Sequence, residues 1–110
     1  GGAAKPIFFI GVDSNQNPLG DTDSNPDTLN FGLTSMLKRV DVASYDAVMD
    51  VVNGTFTGGI MNLGLAEDGV DYALDEYNTA LIPADLVAAV NDVKQQIIDG
   101  AIVVTDYRQQ

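Results

Sequence analysis

Apolar and polar residues alternate in blocks along the first half of the chain, and these blocks predict strands and a helix. Residues 6–12 form a short continuous apolar run, which is typical of a strand buried on both faces of a parallel sheet. The polar stretch 15–30 is predicted to be a long loop, and alternation over residues 33–38 predicts a second strand. Asp41 is then expected to cap a helix that extends to residue 52.

The second half of the chain has a clear amphipathic pattern near its end. Residues 60–65 and 70–74 are strand candidates on either side of a turn at residues 68–69, which favours a hairpin. A helix is predicted from Pro83 to a stop at Gly100, followed by a short strand over residues 101–104. One face of this helix carries an apolar stripe at helical spacing, formed by Leu86, Val90, Val93 and Ile97. The pattern as a whole indicates an α/β fold.

Composition excludes several classes of partner. The chain has 110 residues, enough for one domain, and 45% of them are hydrophobic. Sixteen acidic and five basic residues give a net charge of −11, which would repel nucleic acids and anionic membrane surfaces. We therefore expect no nucleic-acid partner. Residues 1–5 are interpreted as a cloning remnant or a cut end, and residues 6–110 as the domain portion.

The absence of two residue types further restricts the catalytic mechanisms that are open to this chain. The sequence contains no histidine and no cysteine, so neither Ser-His-Asp nor Cys-His catalysis can be built from this chain alone. We expect a non-catalytic protein without a cofactor or a metal. The acidic loop, residues 20–27, spaces oxygen ligands as calcium loops do, but Pro26 and Gly32 stand where an EF-hand needs glycine and glutamate. An ordinary solvated loop is the preferred interpretation.

Asp13 and Lys38 are the candidate ligand-binding residues. Asp13 follows the first predicted strand, and ligands of open parallel sheets bind beyond the carboxyl ends of strands. Alternatively, Asp13 caps the turn through its side chain. Lys38 and Arg39 end the second predicted strand, so Lys38 could face a ligand or pair with Asp13. In the other interpretation the two basic residues balance Asp41 and Asp46 on the surface.

Two segments of the chain are distinctive: residues 10–16, Ile-Gly-Val-Asp-Ser-Asn-Gln, and residues 33–43, Leu-Thr-Ser-Met-Leu-Lys-Arg-Val-Asp-Val-Ala. They closely resemble the basic membrane protein family, the purine-nucleoside-binding lipoproteins of ABC importers. Short segments later in the chain follow in the family's order, at residues 58–59, 63–65, 69–70 and 97–100. The resemblance extends over nearly the whole chain.

The resemblance implies a parallel-sheet lobe of a type I periplasmic binding protein-like fold, incomplete or with exchanged elements. It also implies a periplasmic or cell-surface, lipid-anchored parent whose N-terminal lobe and lipid-bearing cysteine lie upstream. Expected partners are a purine nucleoside, the ABC permease, and the missing lobe or a second copy of the chain. By the family pattern, Asp13 and Lys38 line the nucleoside cleft. A structural, self-associating α/β module with no ligand of its own is the alternative function.

Overall fold

The computed structural model describes residues 6–109, so the interpretation of residues 1–5 lies outside the described residues. Three strands and two α-helices form the molecule: β1 (Phe9–Asp13), β2 (Gly32–Lys38), α1 (Val40–Asn53), β3 (Val70–Tyr72) and α2 (Ala84–Ile98). Two short 3₁₀ helices lie at Asn17–Gly20 and Tyr107–Gln109. The predicted α/β class is confirmed.

The three strands form one sheet in the order β1-β2-β3. β1 and β2 are parallel, with Asp13 opposite Leu37, so both strands end at the same edge of the sheet. β3 is antiparallel to β2, with Val70 opposite Lys38, and makes the sheet mixed. The chain after β3 therefore runs back toward the start of β2.

Both predicted helices are present, with small differences at their N-termini. α1 begins at Val40, and the prediction that Asp41 caps it is wrong, because Arg39 occupies the N-cap position without a side-chain cap bond. Gly54 ends this helix in the left-handed conformation (φ 71°), which glycine adopts at low cost. α2 begins at Ala84, one residue after Pro83. Among residues 6–109, no helix is both long enough and apolar enough to cross a membrane.

Two predicted strands do not form. Residues 60–64 have no regular structure, and the turn at residues 65–68 leads into β3, so the expected hairpin is wrong. The physical reason is that β3 pairs with the free edge of β2 instead. Residues 101–104 also lack a strand partner within the described chain, and Val103 is 83% exposed.

Burial differs most from the sequence-based expectation. β1 was expected to be covered on both faces, but Ile10 is 60% exposed and Val12 is 50% exposed. The expectation is wrong because β1 is an edge strand and neither helix contains a buried residue. Ala73 is the one buried hydrophobic residue among those described, whereas Asn17, Ser35 and Asn78 are fully buried. We call these three side chains the polar core.

The overall dimensions agree with this exposure. The radius of gyration is 17.5 Å, whereas a compact chain of this length has about 13 Å. The accessible surface is 8140 Å², compared with about 5,800 Å² for a folded monomer of this mass. Roughly 2,300 Å² of additional surface, much of it apolar, is thus open on this chain.

Candidate functional site

Asp13 and Lys38 meet at the carboxyl edge of the parallel strands. Lys38 Nζ lies 2.8 Å from Asp13 Oδ1, and both side chains are well exposed. Among the alternatives open for Lys38, the structure shows the pairing with Asp13 across the sheet. An exposed ion pair contributes only about 0–1 kcal/mol to stability. The pair therefore presents an ammonium donor and a carboxylate acceptor to solvent without being needed for the fold.

The backbone at Asp13 is unusual. Its φ of 80° lies in the left-handed region, which costs a non-glycine residue energy, although aspartate tolerates it better than most. The following loop is held against β1 by Gln16, whose Nε2 donates to the Val12 carbonyl over 2.8 Å. Gly11 permits this contact, because a Cβ there would lie 2.7 Å from Ser35 Oγ and 2.8 Å from Gln16 Cβ.

The polar core fixes that loop to β2. Ser35 Oγ donates to Asn17 Oδ1 over 2.8 Å and accepts a bond from the Gln16 backbone N–H over 3.0 Å. Asn78 Nδ2 donates to the carbonyls of Leu33 and Ala73, each over 2.9 Å. Buried polar groups that are satisfied in this way specify one arrangement of the backbone.

Asp75 joins the loop to the segment after β3. Its carboxylate accepts a bond from Asn15 Nδ2 over 2.6 Å and from Asn17 Nδ2 over 3.3 Å. The Tyr77 backbone N–H donates to the same carboxylate over 3.0 Å. Because Asn15 lies two residues after Asp13, this junction helps to fix the position of the candidate binding residue.

Arg39 takes part in a separate ion pair. Its Nη2 lies 2.9 Å from Asp41 Oδ2, and its Nε donates to Asp41 Oδ1 over 3.1 Å. The hydrogen bond from Arg39 lowers the pKa of Asp41 to about 2. The surface-pair interpretation thus holds for Arg39, which balances Asp41, but not for Lys38, whose partner is Asp13.

Two carboxylates of the acidic loop, those of Asp21 and Asp23, accept hydrogen bonds from the loop itself and from Thr28 beside it. Asp21 Oδ1 accepts a bond from the Ser24 N–H, and Asp23 accepts bonds from the Asn25 N–H and the Thr28 hydroxyl. Within residues 6–109, no three acidic side chains are grouped closely enough to hold a metal ion. The geometry is that of a loop stabilised by Asx turns.

Sequence reasoning found the ion pair but missed the polar core and Asp75. Ser35 gave one usable signal, because it lies between Leu33 and Leu37 on the same face of β2. Asn17 and Asn78 gave none, since their partners lie 18 and 45 residues away in the sequence.

The fold is similar to that of a solved solute-binding protein. A solved structure, described as an ABC transporter system solute-binding protein from Aeropyrum pernix K1, matches 92% of this chain with a TM-score of 0.53 and 28% sequence identity. The chain covers 34% of that protein. The α/β architecture is therefore the periplasmic-binding-like fold of such solute-binding proteins.

The sequence relatives include an antigen and lipoproteins. A CD4+ T-cell-stimulating antigen of Listeria monocytogenes is 35% identical over 105 residues, which are 94% of this chain and 29% of the antigen. An uncharacterized lipoprotein of Pyrococcus abyssi is 66% identical over 35 residues, which are 32% of this chain and 9% of the lipoprotein. The chain thus spans about a third of the length of the antigen and of the solute-binding protein. No protein-family profile matches it. The similarity is to lipoproteins and solute-binding proteins.

Proposed function

We propose that this chain is the ligand-binding portion of an extracytoplasmic, lipid-anchored component of an ABC importer. The observation that carries the proposal is the Asp13–Lys38 pair at the shared carboxyl edge of β1 and β2. Ligands bind at this edge in open α/β sheets. The similarity to a solute-binding protein and to a lipoprotein supports the transport role and the location. The permease of the importer would be the protein partner.

The proposed ligand is a purine nucleoside, as the resemblance to the basic membrane protein family implies. Asp13 can accept bonds from ribose hydroxyls or a base N–H, and Lys38 can donate to a hydroxyl or carbonyl oxygen. The two groups lie 2.8 Å apart, so one ligand could engage both and replace the ion pair. In this proposal the chain binds and releases its ligand and catalyses no reaction.

Amide-resolved NMR titration of this chain tests the ligand directly. Inosine and guanosine, added to millimolar concentrations, reach binding free energies as weak as about 4 kcal/mol. Hypoxanthine and ribose, added separately, report which half of the nucleoside is bound. We expect saturable shifts around Asp13 and Lys38 with the nucleosides and smaller ones with either half.

Two variants and a matched control localise the binding. Asp13→Asn and Lys38→Met each remove one charge, and each should weaken nucleoside binding by about 1–3 kcal/mol, the scale of a lost hydrogen bond to a charged group. Arg39→Met breaks the neighbouring exposed ion pair with Asp41 and should leave binding unchanged. Unchanged affinity in the first two variants would refute the site, and no shifts with any nucleoside would refute ligand binding by this chain.

The open surface favours a second candidate, a structural module that self-associates. The roughly 2,300 Å² of additional surface exceeds the roughly 800 Å² that each partner buries in a standard protein interface. β1 also offers an unpaired strand edge, at which another strand can add. Light scattering separates the candidates: a stable dimer without any nucleoside response supports the module, and a monomer excludes it.

A further inference from the structure

The Asp13 side chain reaches Lys38 because the Asp13 backbone is left-handed. Asp13 is opposite Leu37 in the register of the parallel strands, so in a regular strand the two side chains would share one face of the sheet. Leu37 and Lys38 are neighbours in β2 and point to opposite faces. The φ of Asp13 is 80°, in place of about −120° in a regular parallel strand. This rotation about the N–Cα bond carries the carboxylate to the face of Lys38, where the two groups lie 2.8 Å apart.

The loop that follows Asp13 occupies the opposite face. Gly11 and Ser35 share that face, since a Cβ at Gly11 would lie 2.7 Å from Ser35 Oγ. Gln16 folds back over both residues, with its backbone N–H bonded to Ser35 Oγ and its Nε2 bonded to the Val12 carbonyl. Because Gln16 lies four residues after Val12, the chain has to reverse within this stretch, and Asp13 is the residue there with a positive φ. The left-handed backbone and the position of the loop thus depend on each other.

Asp75 is the charged anchor of this loop. Its Oδ2 accepts a bond from Asn15 Nδ2 over 2.6 Å. Two other anchors, the Ser35 hydroxyl and the Val12 carbonyl, are neutral. Hydrogen bonds to an ionised acceptor are roughly twice as strong as those between neutral groups. We therefore expect the loop to depend strongly on Asp75, although Asp75 lies far from it in the sequence.

The position of Asp75 is itself fixed. Its backbone N–H donates to Asn78 Oδ1 over 2.8 Å, and its Oδ1 accepts a bond from the Tyr77 N–H over 3.0 Å. Asn78 is fully buried and donates to the Leu33 carbonyl of β2. A continuous series of hydrogen bonds thus leads from β2, through the segment after β3, to the loop that begins at Asp13.

We propose that Asp75 is a positioning residue for the Asp13–Lys38 pair. It acts through Asn15, by holding the loop that keeps Asp13 left-handed and its carboxylate beside Lys38. Without this anchor, Asp13 returns toward extended backbone and its carboxylate moves away from Lys38. The effect on ligand binding rests on the proposed function, whereas the effect on the Asp13 backbone needs no ligand.

NMR of the free chain tests the backbone conformation of Asp13. The amide and α protons of a left-handed residue lie closer together than those of an extended one, so their cross-peak in a nuclear Overhauser spectrum is stronger. We expect a strong cross-peak in the unmodified chain and its loss in Asp75→Ala. Asp75→Asn keeps one acceptor oxygen and should give an intermediate result. Glu76→Ala, at the exposed acidic neighbour, is the matched control and should leave the cross-peak strong.

Inosine titration of the same variants tests the effect on the proposed site. Asp75→Ala should raise the inosine Kd by about ten-fold or more, which corresponds to 1.4 kcal/mol. Asp75→Asn should raise it less, and Glu76→Ala should leave it unchanged. Each titration is made where circular dichroism shows the variant to be folded, so that a loss of affinity does not report unfolding.

Two substitutions of Asp13 give a test that needs no ligand. Glycine adopts a positive φ freely, whereas alanine is strained there. Asp13→Gly should therefore unfold at a higher urea concentration than Asp13→Ala. In a regular strand the order would be the opposite, because glycine weakens a strand.

Four results would overturn the positioning role of Asp75. They are an unchanged cross-peak in Asp75→Ala, an equal loss in Glu76→Ala, lower stability of Asp13→Gly than of Asp13→Ala, and an unchanged Kd in Asp75→Ala when inosine binds the unmodified chain. If inosine does not bind the unmodified chain but the cross-peaks follow the expected order, the proposed function fails and the role of Asp75 is supported.

Discussion

Truncation of Asn17 to alanine should reveal how much the polar core contributes to stability. The substitution removes the oxygen that accepts the Ser35 hydroxyl over 2.8 Å and leaves that hydroxyl buried. The lost bond contributes about 0.5–1.5 kcal/mol, and a buried unpaired donor costs about 1–3 kcal/mol. The two 3.3 Å contacts to Asp75 are longer than a good N–H···O bond and add little. The second figure already includes the lost bond, so the expected loss in the free energy of unfolding is about 1–3 kcal/mol.

A double-mutant cycle separates this bond from other effects of the truncation. Ser35→Ala alone should also destabilise, because the Gln16 N–H loses its acceptor. In the double variant no hydroxyl remains unpaired, so the combined loss should fall below the sum of the single losses by about 1–2 kcal/mol. Ser44→Ala on α1, which is exposed, is the control and should change stability by less than about 0.5 kcal/mol.

Urea unfolding, followed by far-ultraviolet circular dichroism and by tyrosine fluorescence, measures the four proteins of the cycle and the Ser44→Ala control. Coincident transitions by the two signals are required, because the cycle assumes two-state unfolding. Additivity within about 0.3–0.5 kcal/mol would show that Asn17 and Ser35 act independently and would refute the reasoning.

Two further predictions concern a glycine and a carboxylate. Gly20→Ala should destabilise by about 1–3 kcal/mol, because its Cβ would overlap the Gly32 backbone nitrogen. A Cβ at Gly58 meets nothing within 4 Å, so Gly58→Ala should be tolerated. Urea unfolding of both variants checks this, and equal losses would contradict it. The second prediction concerns Asp41, whose pKa in the folded protein is about 2, compared with an ordinary value of 3.8. Because the folded pKa is lowered, ionised Asp41 stabilises the fold above pH 3.8, and this effect is lost as the pH falls toward 2. Carboxyl-carbon NMR should find that midpoint, and Arg39→Met should return it to near 3.8; an unchanged midpoint would show that Arg39 is not the cause.

Local patterns predicted β1, β2, α1, β3 and α2, because each is specified by residues within one short segment. The Asp13–Lys38 pair was also predictable, since parallel strands place their last residues at one edge. The burial of β1 could not be predicted from its own residues. The exposure of Ile10 depends on which other elements cover β1. Residues 60–65 have the composition of a strand, but a strand forms only when it can pair with the edge of another strand. The available edge of β2 is already paired with β3.

The cavity lined by the acidic loop, residues 28–31 and part of the segment 76–81 could not have been found from sequence. The alternating acids of the acidic loop suggested calcium, yet their carboxylates are bonded to the loop's own N–H and hydroxyl groups. The cavity depends on Asn30 and Tyr77, which are far apart in the chain and are brought together by the return of the chain after β3.

The junction at Asp75 also sets the order in which the chain can assemble during synthesis. The loop after Asp13 is secured by residues some 60 positions later, through Asn15 and Asp75. A ribosome adding about 5–20 residues per second needs roughly 3–12 s to make that stretch. During this interval β1 can pair with β2, and Ser35 can already hold the loop through Asn17 and Gln16. The bonds from Asn15 and Asn17 to Asp75 form only afterwards. The strand edge and its apolar side chains are therefore open to chaperones, or to another nascent chain, before the binding edge takes its final shape.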